Sequence, residues 1–444
     1  MSKLGHSDSS MKKVEIAPTR SLPVRTWHLL LAVGPGIFCI GHTIGTGSVT
    51  TMSKTGSMVG MELLWLLALC CLFMGFLMEA FGRYAVVTGQ TAIYSFKKHL
   101  PWGRTIAILV VVGVVLAQYG ACMGILGLCS SMIVEVFQEN TSTLMLSSYW
   151  TRLLIATLIA MILYGLLLVG RYSFFEKVLV FFVTLMCIVF LASMVMVIPS
   201  PSTFVRGLIP RLPQVQGSFV LVPAMVGTTM AAATFVVRPL LIKAKGWTVE
   251  HRTAQTRDSS TAAVLMFVIS MAVMASATGV MFEKGQVVEK AMDMVKALEP
   301  AAGNLAKTFF FAGALGAGLS SLFPIIMIAP LLIADYRNGK METNTPMFRI
   351  LCAIACLAGL TVPILGFNPI QAQIITQIGG VFVLPLSIGA MIYLVNRKDL
   401  MGPYHAGWFL NMGLLMSFLF SIYITYTGYI AIAERLRHLL QNQV

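Results

Sequence analysis

Charge is what this chain has least of. Charged residues make up 11% of its 444 residues, where soluble domains carry about 25%, and the shortage excludes a water-soluble fold of this size. Acidic side chains are scarcest, 17 against 31 Lys and Arg, for a net charge of +14. In a chain that is 57% hydrophobic, a basic balance marks the loops on one side of a membrane rather than a nucleic-acid partner. The eight cysteines lack metal-ligand spacing. Cys70 and Cys71 have apolar flanks, Cys352 and Cys356 lie one helical turn apart, and all read as small buried hydrophobes. Nucleophile elbow, Walker loop, zinc spacing and cleavable signal peptide are also missing, so no enzyme and no cofactor is expected.

What is present is a series of long apolar runs. A bilayer span needs about 20 apolar residues, and this length predicts eleven spans. They fall at 29–57, 61–86, 104–134, 151–169, 175–198, 217–243, 260–282, 305–334, 347–365, 370–395 and 406–428. The expected fold is an all-α integral membrane protein. Thr91 to Leu100 and the tail after Tyr429 suit short interfacial helices. Basic residues gather in the tail at 1–27 and around Lys97, Lys98, Arg171, Lys177, Lys243, Lys245, Arg252, Arg257, Arg397 and Lys398. The intervening loops carry Glu135, Glu139, Glu283, Glu289, Asp293 and Glu299. The positive-inside rule then puts the N-terminus in the cytoplasm and, after eleven spans, the C-terminus outside, in a bacterial-type inner or plasma membrane. Arg206 and Arg211 run against this trend.

Span 1 carries Ile44-Gly45-Thr46-Gly47-Ser48. Two glycines one residue apart cost a helix about 1 kcal/mol each relative to Ala, and irregular backbone at membrane depth survives only where protein or a cavity surrounds it. Either this is a break that forms half of a solute site or it is a small-residue packing pair. Span 6 carries an echo, Val226-Gly227-Thr228-Thr229-Met230-Ala231, where a second five-helix repeat would place its first helix. Spans 1–5 (28–200) and 6–10 (201–400) are then inverted repeats, with 401–444 appended. Carriers of this kind bind solute between two interrupted helices in corresponding positions.

The residues also resemble a known family. Gly34-Pro35-Gly36, Gly56 with Leu63-Leu64-Trp65, Val87-Thr88-Gly89, Gly318-Leu319-Ser320-Ser321, Thr376-Gln377 with Leu384-Pro385, and Met401-Gly402 are similar, in order and spacing, to motifs of the NRAMP proton-coupled divalent metal transporters. The resemblance implies the LeuT-type fold and metal-ion transport. It fails at the ligands. Gly45, Thr46, Gly47 and Ser48 stand where the family has Asp-Pro-Gly-Asn, and Ala231, Ala232 and Ala233 where it has Met-Pro-His. Only Gln377 survives among the family's ligand side chains. Its acidic relay on span 3 has no counterpart between Leu116 and Gly127, and its second span 6 histidine becomes Arg238.

The expected binding residues are therefore Gly45, Thr46, Gly47, Ser48, Thr228, Thr229, Ala231 and Gln377. No carboxylate is among them, which argues against transition-metal transport of the usual kind. Keeping several waters on the ion, as Mg²⁺ prefers, is a way for such a site to take a divalent cation. The uncharged break itself suits an organic, amino-acid-like or anionic solute held by helix N-termini better; metal-ion transport rests on the resemblance alone, and a transport-silent homologue is the third reading. His42, Glu79, Arg83 and Arg238 are candidates for coupling or gating. Each has a plainer alternative: a packed histidine, a structural Glu79–Arg83 pair at i,i+4, and an Arg238 that snorkels to water. Lys54 reads as solvated. The expected partners are a small solute or ion and the bilayer; oligomeric state stays open.

Overall fold

The structure is a computed structural model in which residues 45–140, 148–169, 184, 188–197, 200–215, 217–296, 306–343 and 345–441 are described. Among them the regular structure is helical. The first half holds α1 (Thr46–Val59), α2 (Leu64–Thr88), α3 (Ala92–His99), α4 (Gly103–Asn140), α5 (Ser148–Val169) and α6 (Pro201–Gly207). Then come α7 (Leu221–Thr229), α8 (Ala232–Ala244), α9 (Arg252–Val280), α10 (Ala291–Lys296), α11 (Ala306–Asn338) and α12 (Pro346–Gly359). The chain ends with α13 (Thr361–Leu365), α14 (Pro369–Gly379), α15 (Leu384–Asn396), α16 (Lys398–Met401) and α17 (Trp408–Gln441).

Nine segments among the described residues are long and apolar enough to cross a membrane, and they coincide with expected spans 2–4 and 6–11. Span 1 is described only in its second half. His42, Gly34-Pro35-Gly36 and most of span 5 lie outside the described residues. The helix expected after Thr91 is α3. The separate tail helix is not seen: α17 runs unbroken to Gln441. Span 7 starts earlier than its apolar run, at Arg252, which brings Asp258 into the helix.

Local chemistry explains several boundaries. Gly89 ends α2 in the left-handed conformation, φ 64° and ψ 11°, the usual role of a glycine past a helix end. A Cβ there would meet nothing within 4 Å, so conformation rather than crowding calls for glycine. At the start of α3 the buried Asp335 of α11 acts as a cap in trans. It accepts from the Thr91 hydroxyl and, at 3.2 Å, from the Ile93 amide, satisfying donors that a helix start leaves open.

The breaks lie inside the bundle. Gly45 is extended, φ −96° and ψ −171°, and α1 begins at Thr46 with no side-chain cap. Span 6 divides at Met230 (φ −100°, ψ 37°) and Ala231 (φ −53°, ψ 117°). Three successive alanines are strong helix formers, so local propensity does not make this break. One turn earlier α7 packs very closely on α14: a Cβ on Gly227 would lie 2.0 Å from the Gln377 carbonyl oxygen. Span 10 is interrupted as well, by a tighter 3-10 turn at Gly380–Val383 between α14 and α15.

Candidate functional site

The ends of these broken helices meet around a small cavity. Gly45, Gly47 and Ser48 come from α1 and its start, Gln118, Ala121 and Ile125 from α4, Thr228 and Ala231 from the span 6 break, and Ile325 and Gln377 from α11 and α14. Its volume is about 20 Å³, which is the room one water molecule needs. A second space of about 10 Å³ adjoins it and shares Gln118, Ala121, Ala231 and Gln377.

Of the expected binding residues, Gly45, Gly47, Ser48, Thr228, Ala231 and Gln377 all line the cavity. Thr46 contributes the first helical residue of α1. Thr229 is buried beside Thr228. The other candidates sit elsewhere. Glu79 and Arg83 pair at 2.7 Å on a groove between α2, α9 and α17. Arg238 does not snorkel. It is fully buried and pairs at 2.6 Å with Asp258, adding a bond to Ser259 at 3.0 Å. Lys54 is not simply solvated either: its ammonium donates to the Val288 carbonyl at 2.7 Å.

Two residues that the sequence reading passed over belong here. Gln118 lines the cavity, and its Oε1 is buried without a hydrogen-bond partner. Gln373 is fully buried, with neither Oε1 nor Nε2 partnered. It lies one turn before Gln377 on α14. Cβ positions built on Gly47 fall 2.4 Å from the Gln377 Nε2 and 2.7 Å from the Gln373 Nε2, so both amides press on the break of α1. The Oγ1 atoms of Thr50, Thr51 and Thr229 are likewise buried and unpartnered. More than nine in ten buried polar groups find partners, and Gln118, whose Oε1 is unpartnered, lines the cavity itself. The signal in the sequence was a lone amide in the apolar run of span 3 and the i,i+4 spacing of Gln373 and Gln377.

The electrostatics are unusual for a cation site. None of the cavity-lining residues is charged, and no group of three His, Cys, Asp or Glu among the described residues is placed to hold a metal. The cysteines described are free and buried, as expected of apolar filler. The cavity instead offers neutral polar groups: the Gln118 and Gln377 amides and the Ser48 and Thr228 hydroxyls, with the last carbonyls of α7, which a helix end leaves without helical partners. Facing them are two helix N-termini, those of α1 and α8, with no side-chain cap and no acidic residue in the first turn.

On the side away from the basic loops, the segment around α10 is strapped down. Ser57 accepts from the Val288 amide at 3.1 Å, Glu135 from the Met292 amide at 2.9 Å, and Asn368 donates to the Glu289 carbonyl at 3.3 Å. These contacts tie it to α1, α4 and the start of α14.

Interrupted helices meeting inside a bundle, with polar groups turned toward a shared cavity, define a secondary carrier of the LeuT-type fold. The solved structures agree on that fold. A mutant of the Eremococcus coleocola manganese transporter superposes with a TM-score of 0.75 at 17% identity, covering 96% of this chain and 90% of that one. A nucleobase-cation-symport-1 family transporter, closed with bromovinylhydantoin bound, gives 0.56 at 14% identity, with 90% of each chain covered. The family model described as natural resistance-associated macrophage protein-like matches residues 36–431, and the chain belongs to that family. Relatives include the divalent metal cation transporter MntH of Mycobacterium leprae, 23% identical over 90% of this chain and 91% of that protein. The Clostridium acetobutylicum protein of the same name is 27% identical over 50% of this chain and 53% of its own length.

Proposed function

We propose that the chain is a secondary transporter that carries a hard divalent cation, of which Mg²⁺ is the type, through a cage of neutral oxygens. The observation that carries this reading is the cavity itself: about 20 Å³, with about 10 Å³ adjoining, lined by amide and hydroxyl groups. That room takes an ion with one water at most and no organic molecule of amino-acid size. Oxygen-only donors favour Mg²⁺, Ca²⁺ or Mn²⁺ over softer metals, and Mg²⁺ characteristically keeps part of its water shell. The names of the relatives support a divalent cation as cargo. The basic loops favour a cytoplasmic N-terminus, and the span order favours inverted repeats at 28–200 and 201–400.

A second reading rests on a different observation. The N-termini of α1 and α8 are uncapped, with no acidic residue in the first turn, and such ends attract carboxylates and other anions. On this reading the cargo is a small anionic or zwitterionic solute, and the cavity widens when the carrier opens. Titration calorimetry of the purified protein with Mg²⁺, Mn²⁺ and a panel of amino and organic acids separates the two. Mg²⁺ or Mn²⁺ binding that weakens at least tenfold in Gln377→Ala supports the cation cage. Binding of an organic acid with no response to either metal refutes it, and binding of none of them points to a transport-silent homologue.

A further inference from the structure

A further cavity lies on the outer wall of the bundle, well apart from the central site. It is a groove of about 550 Å³ between α2, α9 and α17, within the size range of built ligand sites, roughly 300–1,000 Å³. Its floor is made by small residues: a Cβ on Gly75 would sit 3.3 Å from the Ala263 Cβ. Its rim is apolar and open, with Leu72 56%, Val264 61% and Phe409 71% exposed. The Phe76 and Phe409 rings meet edge to face at 5.4 Å and hold one wall.

The charged residues lining the groove, Glu79 and Arg83, lie at one end, the end nearest the basic loops. There Arg83 donates from Nε and Nη2 to Glu79 Oε1 at 2.9 and 2.7 Å, and Thr256 donates to the same oxygen at 3.2 Å. Both Arg83 bonds use one edge of the guanidinium, leaving Nη1 as a donor. Arg252 lies one turn beyond Thr256 on α9, exposed, its guanidinium 5.1 Å from the Tyr404 ring. Trp408, next to Phe409, is exposed as well, and aromatics of this kind gather at membrane interfaces.

Length fits a lipid. From Arg83 to Ala68 the α2 axis advances by about 22 Å at 1.5 Å per residue, against about 15 Å for half of the hydrocarbon thickness. Arg83 itself lies only about 7 Å from the end of α2, a depth from which a long cationic side chain reaches the headgroups. We propose that this groove binds a phospholipid from the leaflet on the basic-loop side, with its phosphate at Arg83 and Arg252 and one acyl chain along the trough past Gly75 and Val264. Glu79 acts as a positioning residue that fixes the Arg83 guanidinium. The occupant is a membrane phospholipid, since the trough fits an apolar chain and the Arg83 Nη1, left over from the pair with Glu79, offers a donor to a phosphate at its charged end, with the exposed Arg252 one turn beyond Thr256 adding positive charge.

Native mass spectrometry of the full-length chain in mild detergent tests this, with dioleoylphosphatidylglycerol and dioleoylglycerol, which lacks the phosphate, offered together. The expected result is one phosphatidylglycerol retained per chain, at least tenfold above dioleoylglycerol. Val264→Trp fills the trough from its exposed side and lowers that retention at least tenfold at an unchanged melting temperature. Glu79→Gln/Arg83→Leu/Arg252→Leu, which removes the ion pair as a unit, abolishes the preference over dioleoylglycerol. Equal retention of the two lipids by the unaltered chain overturns the proposal, as does undiminished phosphatidylglycerol binding by Val264→Trp. Both readouts are lipid binding, so their failure is distinct from failure of the cation cage.

Discussion

Replacing Gly227 by alanine puts the proposed geometry of the site under direct test. One methyl group is added, and it would lie 2.0 Å from the Gln377 carbonyl oxygen and 2.8 Å from the carbonyl carbon. Carbon and oxygen without a bond between them pack near 3.3 Å or more, so α7 and α14 must separate by over an ångström. The obstacle is backbone, which has no rotamer with which to yield. Overpacking of this kind costs about 1–3 kcal/mol, a factor of roughly 5–150 in the folded-to-unfolded ratio. The intrinsic helix preference for alanine works the other way, by about 1 kcal/mol. A net loss of stability is expected, together with a site whose Thr228 and Gln377 no longer share a cavity. Gly165→Ala is the control: nothing lies within 4 Å of its Cβ position, so it should be neutral or stabilising. The assay is thermal unfolding of the purified variants alongside cation uptake into proteoliposomes. If Gly227→Ala melts and transports like the parent, the close approach of α7 to α14 does not shape the site and the reasoning fails.

Other expectations concern the polar groups. Gln373→Leu removes an amide with no partner, so it should leave stability unchanged or raise it, while lowering cargo affinity about tenfold in calorimetry; the opposite pattern would make Gln373 structural. Arg238→Met removes the guanidinium paired with the buried Asp258 carboxylate and should cost about 3–5 kcal/mol, whereas Arg238→Met/Asp258→Leu should recover most of it in thermal melts. A carboxylate at position 45 should tighten divalent binding at least tenfold, but not by itself. A Cβ there would lie 2.7 Å from the Ser321 Cβ, so the variant to measure is Gly45→Asp/Ser321→Gly, and no gain in Mn²⁺ or Mg²⁺ affinity would show that the oxygens around Gly45 do not face the cargo.

The spans were legible because bilayer thickness fixes their length, and nine reappear where apolar runs predict them. The break at Ala231 was legible only as an echo of Gly45-Thr46. Its alanines favour helix, and the close contact beside it, between Gly227 and Gln377, joins residues 150 apart that no local pattern links. Gln118 was missed because the span 3 relay was sought as an acid, and an amide shows no charge. Arg238 was misread for a related reason. Its partner Asp258 falls before the apolar run of span 7, and only the early start of α9 at Arg252 carries that carboxylate into the protein.

The lack of fixed charge around the central cavity has an electrical consequence. A carboxylate cage would partly cancel a divalent cation and move across the membrane as a nearly neutral body. A neutral cage does not: loaded, it carries the full two charges of the ion, and empty, none. The membrane potential then acts on the loaded step alone, with about 2.3 kcal/mol per charge per 100 mV, or roughly 4.6 kcal/mol for a divalent ion. On the proposed cation reading, uptake draws on voltage and rises with an inside-negative potential.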